Sequence, residues 1–285
     1  MARDKRLPQS KRDRKRREQQ KNARKPLAVG RVLIVCEGEK TEPNYFKWWQ
    51  KQLEKIRVVA KSDAKLAARS KVRGIDVNSS SDEIEVKGEG KNTNSLVKEA
   101  TRLKTQAKIQ AKIEYTQVWC VFDRDSFPAK NYNTAIEQAC ANDLKVAYSN
   151  EAFELWYLLH FDYVNTGVSR KQYKKMLTER LGEKYQKNDQ AMYEKLLKHP
   201  KADQQRAIKN AKKLLNKYAE DYANHNPSTT VFELVENLND LMWRFRCQFA
   251  PTYSLPYPHD CVDCKKSTQS PPPYSCLENQ SLPLT

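Results

Sequence analysis

The chain has 285 residues, a formal net charge of +17, and 39% hydrophobic against 31% charged residues. This allows one sizeable core in one or two domains, ringed by solvated charged helices, and makes a polyanion the expected partner. Only 7 glycines argue against a turn-rich sandwich or barrel. With no apolar stretch of roughly 18 residues, nothing spans a membrane as a helix.

In chain order, residues 1–28 come first. They carry twelve Lys or Arg against Asp4, Asp13 and Glu18, a net +9, and almost no large apolar residue. Such a segment buries no core and is expected to be a disordered basic tail. It lacks the apolar region of a secretory signal. Val32-Leu33-Ile34-Val35-Cys36 then reads as a buried strand over 31–36. Thr41 and Pro43 are start signals for a helix over 42–56. Residues 60–82 are polar and Ser-rich and read as an insertion or loop. The alternation Glu83-Ile84-Glu85-Val86-Lys87 reads as a short half-buried strand, and Asn92 or Thr93 can cap a helix running to about residue 113.

Residues 115–122 form the second strongly apolar run, expected to be a central strand. A helix over 132–142, a strand over 145–148 and an apolar helix over 151–161 follow. This alternation of strand and helix predicts a mostly parallel, doubly wound α/β sheet with right-handed crossovers. After about Arg170 the pattern is helical and charged with no further clear strand. Residues 226–230 read as a loop capping a last helix over 231–242. Near residue 247 Pro, Ser, Tyr and Cys take over and helix formers fall away, so 247–285 is expected to be a poorly ordered tail.

Two of the strands end in carboxylates. Glu37-Gly38-Glu39 follows the first and Asp123-Arg124-Asp125 the second. Open α/β sheets bind ligands at the carboxyl ends of their strands. Carboxylates gathered there repel one another unless a cation lies between them, and Mg²⁺ or Mn²⁺ takes oxygen ligands of this kind. Asp123 and Asp125, two apart in an extended segment, point the same way. Glu37 suits a general acid or base, or a metal ligand. It equally suits a solvated loop. Glu39, Lys40 and Glu42 open a helix, where acidic side chains favour its positive end and need no further role. Glu154 lies in the first turn of the helix after Ser149-Asn150. It is either a capping carboxylate or a further metal ligand.

His160 on an apolar helix reads as a packed core histidine. Arg170, Lys171, Lys174, Lys175 and Arg180 form either a phosphate-contacting face or a solvated helix surface. The seven cysteines are irregularly spaced, and Cys36 and Cys120 sit inside apolar strands. That usage fits reduced thiols in a cytoplasm. Cys261-Val262-Asp263-Cys264 has the look of half a zinc knuckle, but its Pro-rich surroundings do not make a zinc fold. A Walker A loop, GxSxG and HExxH are all absent, which leaves NTPase, serine hydrolase and zincin chemistry without support.

Taken together, Ile34-Val35-Cys36-Glu37-Gly38-Glu39-Lys40-Thr41-Glu42 with Tyr45-Phe46, Val121-Phe122-Asp123-Arg124-Asp125, the run Ser149 to Phe161, and Asn226-Pro227-Ser228-Thr229-Thr230-Val231 resemble the RloB-like proteins. These are also called AbiLii-type abortive infection proteins of bacteria and archaea. The resemblance covers about residues 28–242 and implies a divergent Toprim domain. In its terms, 29–165 is the Toprim-like metal-binding domain, 166–246 a helical C-terminal extension and 247–285 lies outside the family. It implies Glu37, Asp123 and Asp125 as catalytic residues. With Glu154 these would hold Mg²⁺ or Mn²⁺.

The implied activity is a nuclease of antiphage defence acting on DNA or RNA, tRNA included, with an AAA- or ABC-type ATPase partner. A homo-oligomer is compatible with it, and a membrane is not involved. The rival reading is a non-catalytic nucleic-acid-binding or regulatory subunit whose acidic cluster is a vestige.

Overall fold

Five consecutive apolar residues leave a strand no solvent-facing side, so it must be covered on both faces. In a computed structural model, β1 (Arg31–Cys36) is such a strand, with residues 32–36 fully buried. The structure describes residues 30–62, 83–124, 128–218 and 222–249, without the side chains of residues 59–61 and 244–249. Expectations for residues 1–28, Asp125 and 250–285 therefore lie outside the described residues.

β1 pairs in parallel with β2 (Glu83–Gly88) on one side and β3 (Tyr115–Asp123) on the other. β4 (Lys145–Asn150) adds in parallel to β3, and the two-residue β5 (Ser228–Thr229) adds antiparallel to β4. The order is β2-β1-β3-β4-β5. The register sets Cys36 opposite Val121 and Asp123 opposite Ser149, so three strands finish at one edge of the sheet.

Helices cover both faces. α1 (Thr41–Ser62) turns Tyr45, Phe46, Trp49 and Leu53 inward at helical spacing. α2 (Thr93–Gln110) is capped by Asn92, whose side chain accepts a bond from the Ser95 N–H at 3.0 Å. α2 and α3 (Ala129–Ala141) pack on Leu33, Val35, Val118, Cys120 and Phe122. The alternate residues Val32, Ile34, Cys36, Trp119 and Val121 face α1 and the helices that follow β4. This is the mostly parallel, doubly wound arrangement that the alternation of strand and helix predicts.

The later helices are α4 (Glu154–Leu159), α5 (Arg170–Leu181), α6 (Met192–Lys198), α7 (Gln204–Leu215) and α8 (Val231–Phe249). α4 is buried on all sides. It runs through the middle of the core, as a helix apolar all round does. α5 opens with a capping box between Ser169 and Gln172 and closes on left-handed Gly182 (φ 70°).

These helices share one core with the sheet. The Tyr45 ring meets Phe46, Trp49, Phe153, Tyr157 and Tyr193 at centroid distances of 4.8–5.6 Å. It thus joins α1 to α4 and α6. Such aromatic pairs add about 0.5–1.5 kcal/mol each beyond the area they bury.

Several elements differ from the sequence-based expectation: α1 runs on to Ser62 rather than ending at 56, α3 begins at Ala129 rather than 132, and three further differences follow. Residues 228–229, expected in a loop, form β5, held by the Thr230 N–H to the Tyr148 carbonyl and by the Tyr148 N–H to Thr230 Oγ1, both 2.9 Å. Hydroxyl side chains and a two-residue length leave no period to read. α4 begins at Glu154 rather than 151, and α8 runs past the compositional break near 247 to Phe249. Among the described residues no helix is long and apolar enough to cross a membrane.

Candidate functional site

The chain leaves β1 in one direction, to β2, and returns on the other side to β3. The crevice between the ends of β1 and β3 is therefore the topological switch point, where open α/β sheets bind ligands. Glu37 and Asp123 stand on its two sides. The Glu37 N–H donates to Val121 O at 2.8 Å, which continues the ladder one residue beyond β1. Its carboxylate is held in turn, Oε2 accepting from the Asp123 N–H at 3.1 Å and Oε1 from Thr93 Oγ1 at 3.4 Å.

Asp123 closes β3 with its side chain 14% exposed. Burial, then the charges of Glu42 and Glu154, push its carboxyl well above the usual carboxylate range; Arg170 opposes the shift and Glu37 adds to it. Arg170 Nη2 lies 3.6 Å from Asp123 Oδ2, while Asp123 Oδ1 is buried with no hydrogen-bond partner.

Glu42 is buried in the first turn of α1, and its Oε2 also lacks a partner. Burial raises its pKa, with Glu154 adding and Lys187 and Arg170 opposing. Gly38 makes room for this carboxylate, because a Cβ there would stand 2.2 Å from Glu42 Oε2. Glu154, buried at the start of α4, accepts a bond from the Tyr185 hydroxyl at 3.3 Å.

The second wall comes from the later helices. Thr41 Oγ1 donates to Lys187 O at 3.1 Å and Asn44 Nδ2 to Asn188 O at 3.2 Å. These two bonds seat the segment carrying Tyr185 and Lys187 against the start of α1. The site is thus four carboxylates at a sheet edge, Glu37, Glu42, Asp123 and Glu154, faced by Arg170, Tyr185 and Lys187.

A set of carboxylates with two orphaned buried oxygens fits a hard divalent cation in kind. Among the described residues no three His, Cys, Asp or Glu side chains are gathered closely enough to hold an ion as they stand. Binding one requires the carboxylates to draw in.

Of the residues singled out from sequence, Glu37, Asp123 and Glu154 come to this edge, and Asp125 lies outside the described residues. Glu42, read from sequence more as an acid that opens a helix than as a site residue, is buried and its charge bears on Asp123. Its position in the first turn had a complete local explanation, which masked the second role. The basic run on α5 splits. Arg170 reaches the site and Arg180 pairs with Asp162, whereas Lys171, Lys174 and Lys175 are exposed.

His160 is a packed core residue, its Nδ1 sharing a 2.9 Å hydrogen bond with Trp156 O and its pKa pushed down to about 4 by burial. Cys36 and Cys120 are buried free thiols. Burial pushes Cys120 up to about 12, so it does not serve as a nucleophile.

These features define a doubly wound α/β protein with an acidic cluster at its switch point. A family model described as RloB-like protein matches residues 32–238, and the chain belongs to that family. No curated protein and no solved structure was found to match it.

Proposed function

We propose that this protein is a Toprim-type nuclease, dependent on Mg²⁺ or Mn²⁺, that acts in bacterial or archaeal antiphage defence. We place it in the cytoplasm with an AAA- or ABC-type ATPase as partner. The observation that carries the reading is Asp123, largely shielded beside Glu42 and Glu154, with a buried, unpartnered Oδ1 at the switch point. A cation bound there would stabilise the charge that develops on a phosphodiester in attack.

Asp123, Glu42 and Glu154 are the ligands available to it, with Asp125 as a further one. Glu37 is oriented by the Asp123 N–H and Thr93, and we assign to its Oε1 the proton of the attacking water. Arg170, beside Asp123, would offer its planar fork to a phosphate oxygen at this edge. The basic segment 1–28 adds salt-sensitive affinity for nucleic acid.

A second reading, a non-catalytic nucleic-acid-binding or regulatory subunit, draws on the spread of the carboxylates, no three of which stand ready around an ion among the described residues. Titrating the full-length protein with Mn²⁺ in a calorimeter separates the two. The nuclease reading expects stoichiometric binding that is lost in Asp123→Asn. It also expects Mn²⁺-dependent cleavage of DNA, RNA or tRNA, with or without the ATPase, that disappears in the same variant. No Mn²⁺ binding by the unmodified chain would leave the subunit reading in its place.

A further inference from the structure

A cleft of about 300 Å³ opens beside the acidic edge, lined by Arg124, Asn150, Glu151, Ala223, Asn224 and Asn226. That size is at the lower end for a small-ligand site. The cleft adjoins the carboxylates by two routes. Arg124 directly follows Asp123 in the chain. Arg170, which reaches Asp123, also donates through Nη2 to Glu151 O at 3.5 Å.

Its walls are fixed. The Arg124 N–H donates to Ser149 O at 2.8 Å, its Nε donates to Ala223 O at 3.3 Å, and its guanidinium lies 5.6 Å from the Tyr132 ring centroid. Asn150, 2% exposed, donates through Nδ2 to the same carbonyl at 3.3 Å. The Ala223 N–H is bound on its other side to Asn133 Oδ1 at 3.1 Å. Asn226 is backed by Gly167, where a Cβ would stand 2.7 Å from the Asn226 amide oxygen.

We propose that this cleft binds one nucleotide unit of the substrate strand, the one next to the phosphate at the acidic edge. The inference rests on the nuclease reading and names a subsite for it. Four of the six lining side chains are an arginine and three carboxamides, of which Asn224 and Asn226 are exposed and Asn150 is a buried support bound to Ala223 O. A guanidinium pairs with phosphate oxygens in a bidentate fork, and a carboxamide offers the paired donor and acceptor that match a base edge. A cleft for a bare anion would not carry three carboxamides and a carboxylate. A cleft for an apolar ligand would not be lined by polar groups.

A single-nucleotide cleft takes a base out of a helical stack, so it selects single-stranded or splayed substrates.

The test uses the full-length protein in EDTA with the four nucleoside 5′-monophosphates and inorganic phosphate, read by calorimetry and ligand-observed NMR. At least one monophosphate is expected to bind and to resist displacement by an equal concentration of inorganic phosphate. Arg124→Gln and Asn226→Asp should each weaken that binding about tenfold; the melting temperature stays unchanged in Asn226→Asp, which decides the matter even where Arg124→Gln, by losing the bond to Ala223 O, loosens the fold. Asn226 is solvent-exposed, so its exchange leaves the core intact.

Three results overturn the proposal: no monophosphate binding at millimolar concentration, displacement by inorganic phosphate alone, or binding indifferent to both substitutions. Because no cation is present, such a failure leaves the Mn²⁺ test of the nuclease untouched. A failed Mn²⁺ titration likewise leaves nucleotide binding to be judged by itself.

Discussion

At the scale of single residues, Asp123 and Arg170 are opposed. Asp123 is an acid whose folded pKa stands above its ordinary value of 3.8. The folded state therefore holds this proton more tightly than the unfolded state. Stability falls as pH rises from that ordinary value toward the folded one. Asp123→Asn removes the burden, so thermal melting of cation-free protein at neutral pH should move upward and its pH slope flatten. A lower melting temperature would mean that the Arg170 pair outweighs the repulsion. Arg170 in turn competes with any cation for Asp123. Arg170→Met should bind Mn²⁺ several-fold more tightly by calorimetry yet cleave more slowly, because the phosphate loses its guanidinium. Weaker Mn²⁺ binding in this variant would show that Arg170 serves only to hold the site together.

At the scale of elements, α8 carries its own titrating group. Glu233 lies in the first turn, where the helix end favours a negative charge. Burial and Glu236 nonetheless push its pKa up to about 7, against the opposing charges of Lys145 and Lys212. The folded state thus binds its proton more tightly between pH 4.5, the ordinary glutamate value, and about 7. Stability is lost as pH climbs through that window. Glu233→Gln should raise stability by roughly 1–3 kcal/mol at pH 8 and by almost nothing at pH 4, measured by urea unfolding at both values. Equal effects at the two values would rule out titration of Glu233 as the cause. The helix boundaries that sequence reading found best are those with local chemistry, such as Asn92 at the start of α2. The start of α4 slipped by three residues because its first turn is buried and no side chain caps it to mark the boundary.

At the scale of the molecule, the sheet and the later helices meet in a single core around Tyr45. They should therefore melt together. Tyr45→Ala should cost about 3–5 kcal/mol, as large aromatic truncations in cores do, and should lower one cooperative transition rather than one of two. Two separate transitions by calorimetry would divide the core at α1. The charge asymmetry acts at the same scale. Deleting residues 1–28 removes +9. Each lost phosphate contact flattens the slope of log K against log salt by about 0.9 on duplex DNA. A filter-binding salt series should show a shallower slope with an unchanged melting temperature, and an identical slope would assign the segment to another partner.

The sequence by itself determined the sheet and its acidic edge. Val32–Cys36 and Val118–Phe122 are apolar without interruption, and only a strand covered on both faces satisfies such a run. A carboxylate directly after each therefore had to emerge at a strand end. Only the tertiary structure decided that Glu42, Arg170, Tyr185 and Lys187 belong to the same site. Each has a sufficient local explanation as a first-turn acid, a helix-surface base or a loop residue, and local patterns carry no information about a partner from a distant element of the chain. β5 was hidden for the same reason, since Ser228 and Thr229 become a strand only because Tyr148 lies beside them. The core around Tyr45 brings these distant segments together, and packing of that kind is settled by shape in three dimensions, which a linear pattern does not encode.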